Sequence, residues 1–373
     1  MSAAEDLPEP DRVEGAPHPR ETDVLYGQAR AEADFLSAFS GSRLHHGWLV
    51  TGPQGVGKAT LAWRIARFLL ATPAQADDGL FGAPPPPASL DIGADHPVAH
   101  RVRALSDPGL FLLRRGANEK GDRLASEIRV AEVRRMREFF ALSSADGGRR
   151  VVIVDAADEL NVQAANALLK MLEEPPANTT MLLIAHQPAR LLPTIRSRCR
   201  ELRLSPIGPE DMSRALAQAG AEVKSETASA LTELSGGSVG EAMRLLSLDG
   251  LTLYGEILGI LGSLPRLDRP RLLSLAESCA GRGKETRLEL LLSLTDRALA
   301  RAARRGVTGE TPGREAASGE AEVLARIAPD PASGRHWASR AQVAGERARH
   351  ARAVNIDPAA LVTDLFLQMR PGL

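Results

Sequence analysis

The chain has 373 residues and a mass of 39.8 kDa, with 43% hydrophobic and 25% charged residues. That usage, over a length suited to about two or three domains, excludes a wholly disordered chain, a collagen-like fibre and a disulfide-stapled miniprotein. Lys plus Arg (46) and Asp plus Glu (47) leave a net charge of -1, so no global positive excess advertises nucleic acid.

Residues 1–20, MSAAEDLPEPDRVEGAPHPR, are acidic and proline-rich. They predict a disordered tail and lack the basic start and apolar stretch of a signal peptide. No apolar run approaches the roughly 18 to 20 residues of a membrane helix, so a soluble, cytoplasmic protein without membrane contact is expected. Periodic sequence starts near Asp23. His45-His46 has no Cys or carboxylate cluster beside it and does not read as a metal site. Trp48 to Thr51 is a strand candidate. Directly after it comes Gly52-Pro53-Gln54-Gly55-Val56-Gly57-Lys58, and then a helix with Leu61, Ile65, Phe68 and Leu69 at helical spacing. A glycine-rich turn between a strand and a helix is a phosphate-binding loop. Its N–H groups and the helix N-terminus face the anion, and the lysine reaches the outer phosphates. Gly52, Gly55, Gly57 and Lys58 are therefore the candidate nucleotide ligands.

The loop departs from a working pattern at the next residue. Ala59 stands where a Ser or Thr hydroxyl would ligate Mg²⁺. Thr60 is one residue late, rotated by about 100° around the helix. Ala74 to Pro97, with Pro84 to Pro87, reads as a loop. Ile128 to Phe140 is helical, and its Arg134, Arg135 and Arg137 are either a solvated face or, less readily, a track for DNA phosphates. Val151-Val152-Ile153-Val154 is a buried strand ending in Asp155, the position of a metal-holding carboxylate and the fifth candidate ligand. Ala156-Ala157 follows where an ATPase carries the glutamate that polarises water, and Glu159 is too far along to replace it. Weak nucleotide binding at best, with no useful turnover, is the expectation.

Ala164 to Leu172 is a helix stopped by Pro175-Pro176, and Met181 to Ala185 is another buried strand. This alternation predicts an α/β domain with a parallel sheet covered on both faces. Ser205 to Pro209 punctuates the chain, and only helical patterns follow, so a domain boundary is expected near residue 205. Two apolar stripes, Leu288 to Leu294 and Ala360 to Leu367, exceed what one small domain needs and suggest an assembly surface. Arg301 to Arg305 reads as a solvated helix end, with partner binding as the alternative, and Gly306 to Gly319 as a loop. Cys199 and Cys279 read as free thiols and cannot build a four-cysteine zinc site.

Two stretches carry a resemblance. Ala164-Ala165-Asn166-Ala167-Leu168-Leu169-Lys170, followed by Leu172-Glu173-Glu174-Pro175-Pro176, resembles bacterial DNA polymerase III clamp-loader subunits of the AAA+ class. Ser197-Arg198-Cys199 is similar to a signature of the same family. Gly27-Gln28 looks like the segment lining the adenine pocket, and Asn355 to Leu367 like the last collar helix. The resemblance implies a P-loop AAA+ core over 21–205 with a degenerate ATP site, a small helical lid over 206–250 and an all-α collar for oligomerisation over 251–373. It also implies gamma/tau and delta subunits as partners, with the sliding clamp and primer-template DNA reached through the assembled complex. Within the family, Ala59, Ala156 and Gly240 (where motor subunits carry an arginine after Gly-Ser-x) favour the non-hydrolysing, delta-prime-like branch over an active gamma/tau-like or helicase-like ATPase. Delta-prime-like chains often carry a four-cysteine zinc module in the place of Ala74 to Pro97; its cysteines are missing here, so neither zinc nor any other required cofactor is expected. By the same resemblance Arg198 is an arginine finger, acting in trans on ATP held by a neighbour. On spacing alone it reads as an ordinary ion-paired arginine.

Overall fold

The computed structural model describes residues 9–13, 15–41, 44–73, 86–141, 148–353 and 356–369. Five short strands form one parallel sheet among them: β1 (Gly47–Thr51), β2 (Leu110–Arg114), β3 (Arg150–Asp155), β4 (Thr179–Ile184) and β5 (Arg200–Arg203), in the order β2-β3-β4-β1-β5. The inner strands are apolar on both faces because both faces are covered. Trp48, Val50, Val151, Ile153, Leu182 and Ile184 point to one layer. Leu49, Val152, Val154, Met181 and Leu183 point to the other. This is the period-2 alternation of a strand, read out on two cores.

Helices α1 (Ala29–Phe39), α2 (Lys58–Ala71) and α3 (Pro97–Arg103) cover the first layer. On the second lie α4 (Val130–Ala141), α5 (Val162–Glu173) and the single turn α6 (Pro193–Arg196). Helix α2 is buried along nearly its whole length, so its two arginines need internal partners. Arg64 pairs with Glu32 (2.7 Å) and Asp91 (2.8 Å), and Arg67 donates to the carbonyls of Arg20 (2.7 Å) and Thr22 (2.8 Å). Helix α5 starts where Asn161 accepts from the Ala164 N–H at 2.9 Å and stops before Pro175. The expected parallel sheet between helical layers, followed by a helical C-terminal region, is the fold observed.

The chain divides into two compact units, Met1–Ala221 with Ser238–Gly240, and Glu222–Gly237 with Glu241–Leu373. The class change near residue 205 is thus not where the units part. Helix α7 (Pro209–Gln218) stays with the sheet because the Gln218 amide exchanges two hydrogen bonds with the Val24 backbone (3.0 and 3.3 Å). The start of the chain differs from the expected tail as well. Residues 1–8 lie outside the described residues, but Glu9 to Val13 and Gly15 to Glu21 are folded against the sheet unit, ending in a short 3₁₀ turn at Pro19–Glu21. Counter-charges far along the chain hold this acidic stretch in place, as described below. Residues 74–85, where the proline run begins, are outside the described residues.

The second unit is helical: α8 (Ser225–Ser235), the greater part of α9 (Val239–Ser247), α10 (Gly250–Gly262), α11 (Arg269–Ser278), α12 (Glu285–Thr308), α13 (Glu320–Ile327), α14 (Pro331–Ala353) and α15 (Pro358–Leu367). Three expectations change here. Helix α12 runs through Gly306 to Thr308, because Gly306 and Gly334 let α12 and α14 meet backbone to backbone. A Cβ on Gly306 would lie 2.5 Å from the Gly334 Cα. The apolar stripes are largely consumed inside the unit: Leu290, Leu291, Leu294, Leu361, Val362, Leu365 and Phe366 are buried within the chain, while Leu288, Leu292 and Leu367 stay half-buried. Arg301 is not solvated. It pairs with the fully buried Glu320 at 2.6 Å and with Glu233 at 3.3 Å, while Tyr254 donates to Glu320 at 2.6 Å. Among the described residues, no single helix is long and apolar enough to cross a membrane.

Candidate functional site

The carboxyl ends of parallel strands are where an open α/β sheet builds its sites. Here β1 ends at Thr51 and runs into the glycine-rich loop. Gly57 has φ +97° and caps α2, and a Cβ there would sit 2.5 Å from Leu25 Cδ1, so only glycine fits. Gly55 has φ +76°, and its carbonyl accepts from the Gly240 N–H at 3.2 Å. Gln28, expected at the adenine end, is buried and acts as a clasp. Its amide donates to Val56 O (3.2 Å) and Ser205 O (2.7 Å) and accepts from the Ser205 N–H (3.2 Å).

Lys58 does not project into an open phosphate cradle. Its Nζ donates to the carbonyls of Gly52 (2.7 Å) and Pro53 (2.5 Å), folding the ammonium back on its own loop. Burial lowers its pKa to about 8, against the pull of Asp155 and Asp158. Ala59 packs against the core layer and offers no metal ligand. Asp155 ends β3 as a buried carboxyl. Burial raises its pKa to about 7; the nearby Asp11 and Glu159 push the same way, and Lys58 and Arg114 oppose.

Ala156 and Ala157 are buried and inert. The acids after them have other work. Asp158 accepts the His186 and Gln187 amides, both at 3.0 Å, and Glu159 pairs with Arg115 at 2.8 Å. The side chains present therefore do not fit a metal-bound triphosphate poised for cleavage.

The raised pKa of Asp155 has a consequence for stability. Native Asp155 keeps its proton up to about pH 7, while the unfolded chain releases it near 3.8. The native state thus binds the extra proton between these values, and its contribution to stability falls as pH rises through that window. Asp155→Asn should gain stability over the parent by roughly 1 to 3 kcal/mol at pH 8, with no gain at pH 4. Urea denaturation at the two pH values measures this, and an equal effect at both would rule out the titration.

The five loop and β3 candidates, Gly52, Gly55, Gly57, Lys58 and Asp155, come together at the carboxyl end of the sheet. Arg198 does not join them. Its carbonyl lies 3.1 Å from where a Cβ on Gly47 would be, at the start of β1. That places it roughly 13 Å along the strand from the phosphate loop. Arg198 Nη2 pairs with Glu173 at 2.8 Å and Nη1 donates to Thr194 O at 3.1 Å, with the side chain 38% exposed. Such an arginine lies too far away to serve its own loop.

The minor candidates resolve simply. Arg134, Arg135 and Arg137 are exposed on α4, whose other face buries Val133 and Met136, and Arg135 pairs with Glu132. His45 and His46 stack at 4.6 Å. Nδ1 of His45 lies 2.8 Å from Gly47 O, and Nε2 of His46 lies 2.9 Å from Leu172 O. Cys199 and Cys279 are free thiols, and burial pushes Cys199 up to about 12. Among the described residues no group of three or more His, Cys, Asp or Glu is placed to hold a metal ion. Sequence reading overlooked Asp11, His18 and Arg114, because nothing local in their neighbourhoods signals a site.

The model of the family described as DNA polymerase III, delta subunit, matches residues 27–208. DNA polymerase III subunit delta' of Pseudomonas aeruginosa is 38% identical over 200 residues, 54% of this chain and 55% of that protein. The delta' subunit of Escherichia coli is 32% identical over 214 residues, 57% of this chain and 58% of that protein. A DNA polymerase III subunit gamma, of Buchnera aphidicola, is 26% identical over 239 residues, 61% of this chain and 58% of that protein. The chain thus spans little more than half the length of the curated relatives it matches. Residues 27–208 thus match the model of the DNA polymerase III delta-subunit family, and the chain's sequence is similar to that of delta-prime subunits.

Proposed function

We propose that the chain is a non-hydrolysing, delta-prime-like subunit of a DNA polymerase III clamp loader, working in the cytoplasm to help place the sliding clamp on primed DNA. The observation that carries this reading is the closed phosphate loop. Lys58 is bonded to the Gly52 and Pro53 carbonyls, and alanines occupy the metal-ligand and water-polarising positions, Ala59 and Ala156. What remains is a rigid P-loop scaffold that organises neighbours. Arg198, at the far edge of the sheet, supplies a guanidinium in trans to ATP bound by an adjacent gamma/tau-type subunit; a delta-type subunit, the clamp and primer-template DNA complete the assembly. Residues 206–250 serve as the lid and 251–373 as the collar.

The isolated chain is expected to turn over no ATP, because loss of metal and base positioning removes several powers of ten in rate. A steady-state phosphate-release assay with Mg²⁺ checks this. Turnover near roughly 1 s⁻¹, as for ordinary P-loop enzymes, would instead assign the chain to the motor class.

A further inference from the structure

The acidic segment before the first helix lies beside the carboxyl end of β2 and reaches Gly240. Two turns shape it, Arg12 N–H to Glu9 O (3.2 Å) and Ala16 N–H to Val13 O (3.1 Å). Arg114, at the end of β2, clamps it: Nη1 holds Asp11 Oδ1 at 2.5 Å and Nη2 holds Glu9 Oε1 at 3.3 Å. Arg20 holds the same Glu9 oxygen at 2.6 Å. The Asp11 side chain is 1% exposed, and its second oxygen lies 3.1 Å from Nε2 of the buried His18. His18 in turn meets Trp63 of α2 edge-on, with ring centroids 6.0 Å apart. Arg114 is the ladder partner of Asp155, so Asp11 is tied next to the carboxyl where the nucleotide's metal would sit. On the other side, Val13 Cγ2 is 3.4 Å from where a Cβ on Gly240 would be, and the Gly240 N–H donates to Gly55 O in the loop.

We propose that Glu9 to Val13 form an intramolecular strap that closes the phosphate end of the loop against nucleotide. The strap sets carboxylates where phosphate oxygens would approach. Glu9 and Asp11 repel a polyphosphate electrostatically, and the turns obstruct the mouth between Asp155 and Gly240. This deepens the reading of a non-hydrolysing subunit: the loop is not merely stripped of catalytic groups but kept shut by its own chain.

The test uses the full chain with Asp11→Arg, which sets two cations face to face, and Arg114→Gln, which removes the clamp from the other side. Two quantities are read: amide hydrogen exchange of residues 9–18 and 52–58, and the affinity for ATP by calorimetry, with Mg²⁺ and with EDTA. In the parent, residues 9–18 should be protected. Either variant should lose that protection and bind ATP at least about tenfold more tightly, and adding Lys58→Ala should abolish the gain. If one variant fails to fold, the other decides. An unprotected strap in the parent, or protection that survives both variants, overturns the proposal. So does a strap that opens with ATP affinity unchanged, or a gain that persists without Lys58. ATP turnover by the parent would overturn the proposed function and the strap together. A released strap without nucleotide binding would overturn the strap alone.

Discussion

Arg198→Ala is expected to leave the chain folded and able to assemble while slowing ATP turnover at one neighbouring site by about 10³ to 10⁵, the usual contribution of an arginine finger. The geometry separates the two effects. The Arg198–Glu173 pair is partly exposed on both sides, so its loss should cost at most about 1 kcal/mol and barely move the melting temperature. The guanidinium pairs with Glu173 and Thr194 O and with no group of the chain's own phosphate loop. DNA- and clamp-stimulated ATPase of the reconstituted complex should fall only in part, because the sites served by other subunits keep their own fingers. Arg198→Lys should rescue poorly, since an ammonium lacks the planar fork that meets phosphate oxygens. Glu173→Ala, which frees Arg198 from its partner, should preserve stimulated turnover. If the Arg198→Ala complex loaded clamps at the parent rate under limiting ATP, Arg198 would be no more than half of a surface ion pair.

Glu320→Ala is expected to destabilise the helical unit by about 3 to 5 kcal/mol, the largest single effect foreseen outside the sheet. Glu320 is fully buried and accepts from four donors: Tyr254 Oη (2.6 Å), Arg301 Nε (2.6 Å), Arg301 Nη2 (3.2 Å) and the Ala316 N–H (2.7 Å). Burial and the adjacent Glu320 charge both hold the Tyr254 hydroxyl protonated, so it stays a donor across the physiological range. Removing the carboxylate strands these donors in an apolar setting and leaves Arg301 with only Glu233 as an acidic partner. Tyr254→Phe, which removes a single donor, should cost about 1 to 2 kcal/mol. Urea denaturation followed by helical circular dichroism measures both. A Glu320→Ala loss below about 1 kcal/mol would mean that water replaces the carboxylate.

Strand and helix identity in the sheet unit was legible in the chain because it depends on near neighbours. Val151 to Val154 and Met181 to Ala185 are apolar on both faces, which only a covered parallel strand tolerates, and Pro175-Pro176 ends α5 by geometry alone. The phosphate loop was legible for the same reason, since a strand, a glycine-rich turn and a lysine are consecutive. So were its defects at Ala59 and Ala156. What the sequence could not show was which distant groups satisfy one another. Glu9 meets Arg114 across 105 residues and turns an apparently disordered tail into a folded strap. Lys58 has the reach to bind a phosphate or to bond the carbonyls of Gly52 and Pro53, and its spacing is the same in either case. Arg301 looks solvated in its helix and is half-buried and paired because α13 brings Glu320 to it. The leucine stripe of α12 looked like an assembly face because periodicity marks the apolar side of a helix and does not say what covers it. Periodicity and motif spacing record local geometry. Charge pairing and the covering of apolar faces are settled only when the chain closes on itself, and those contacts decide whether this loop is open or shut.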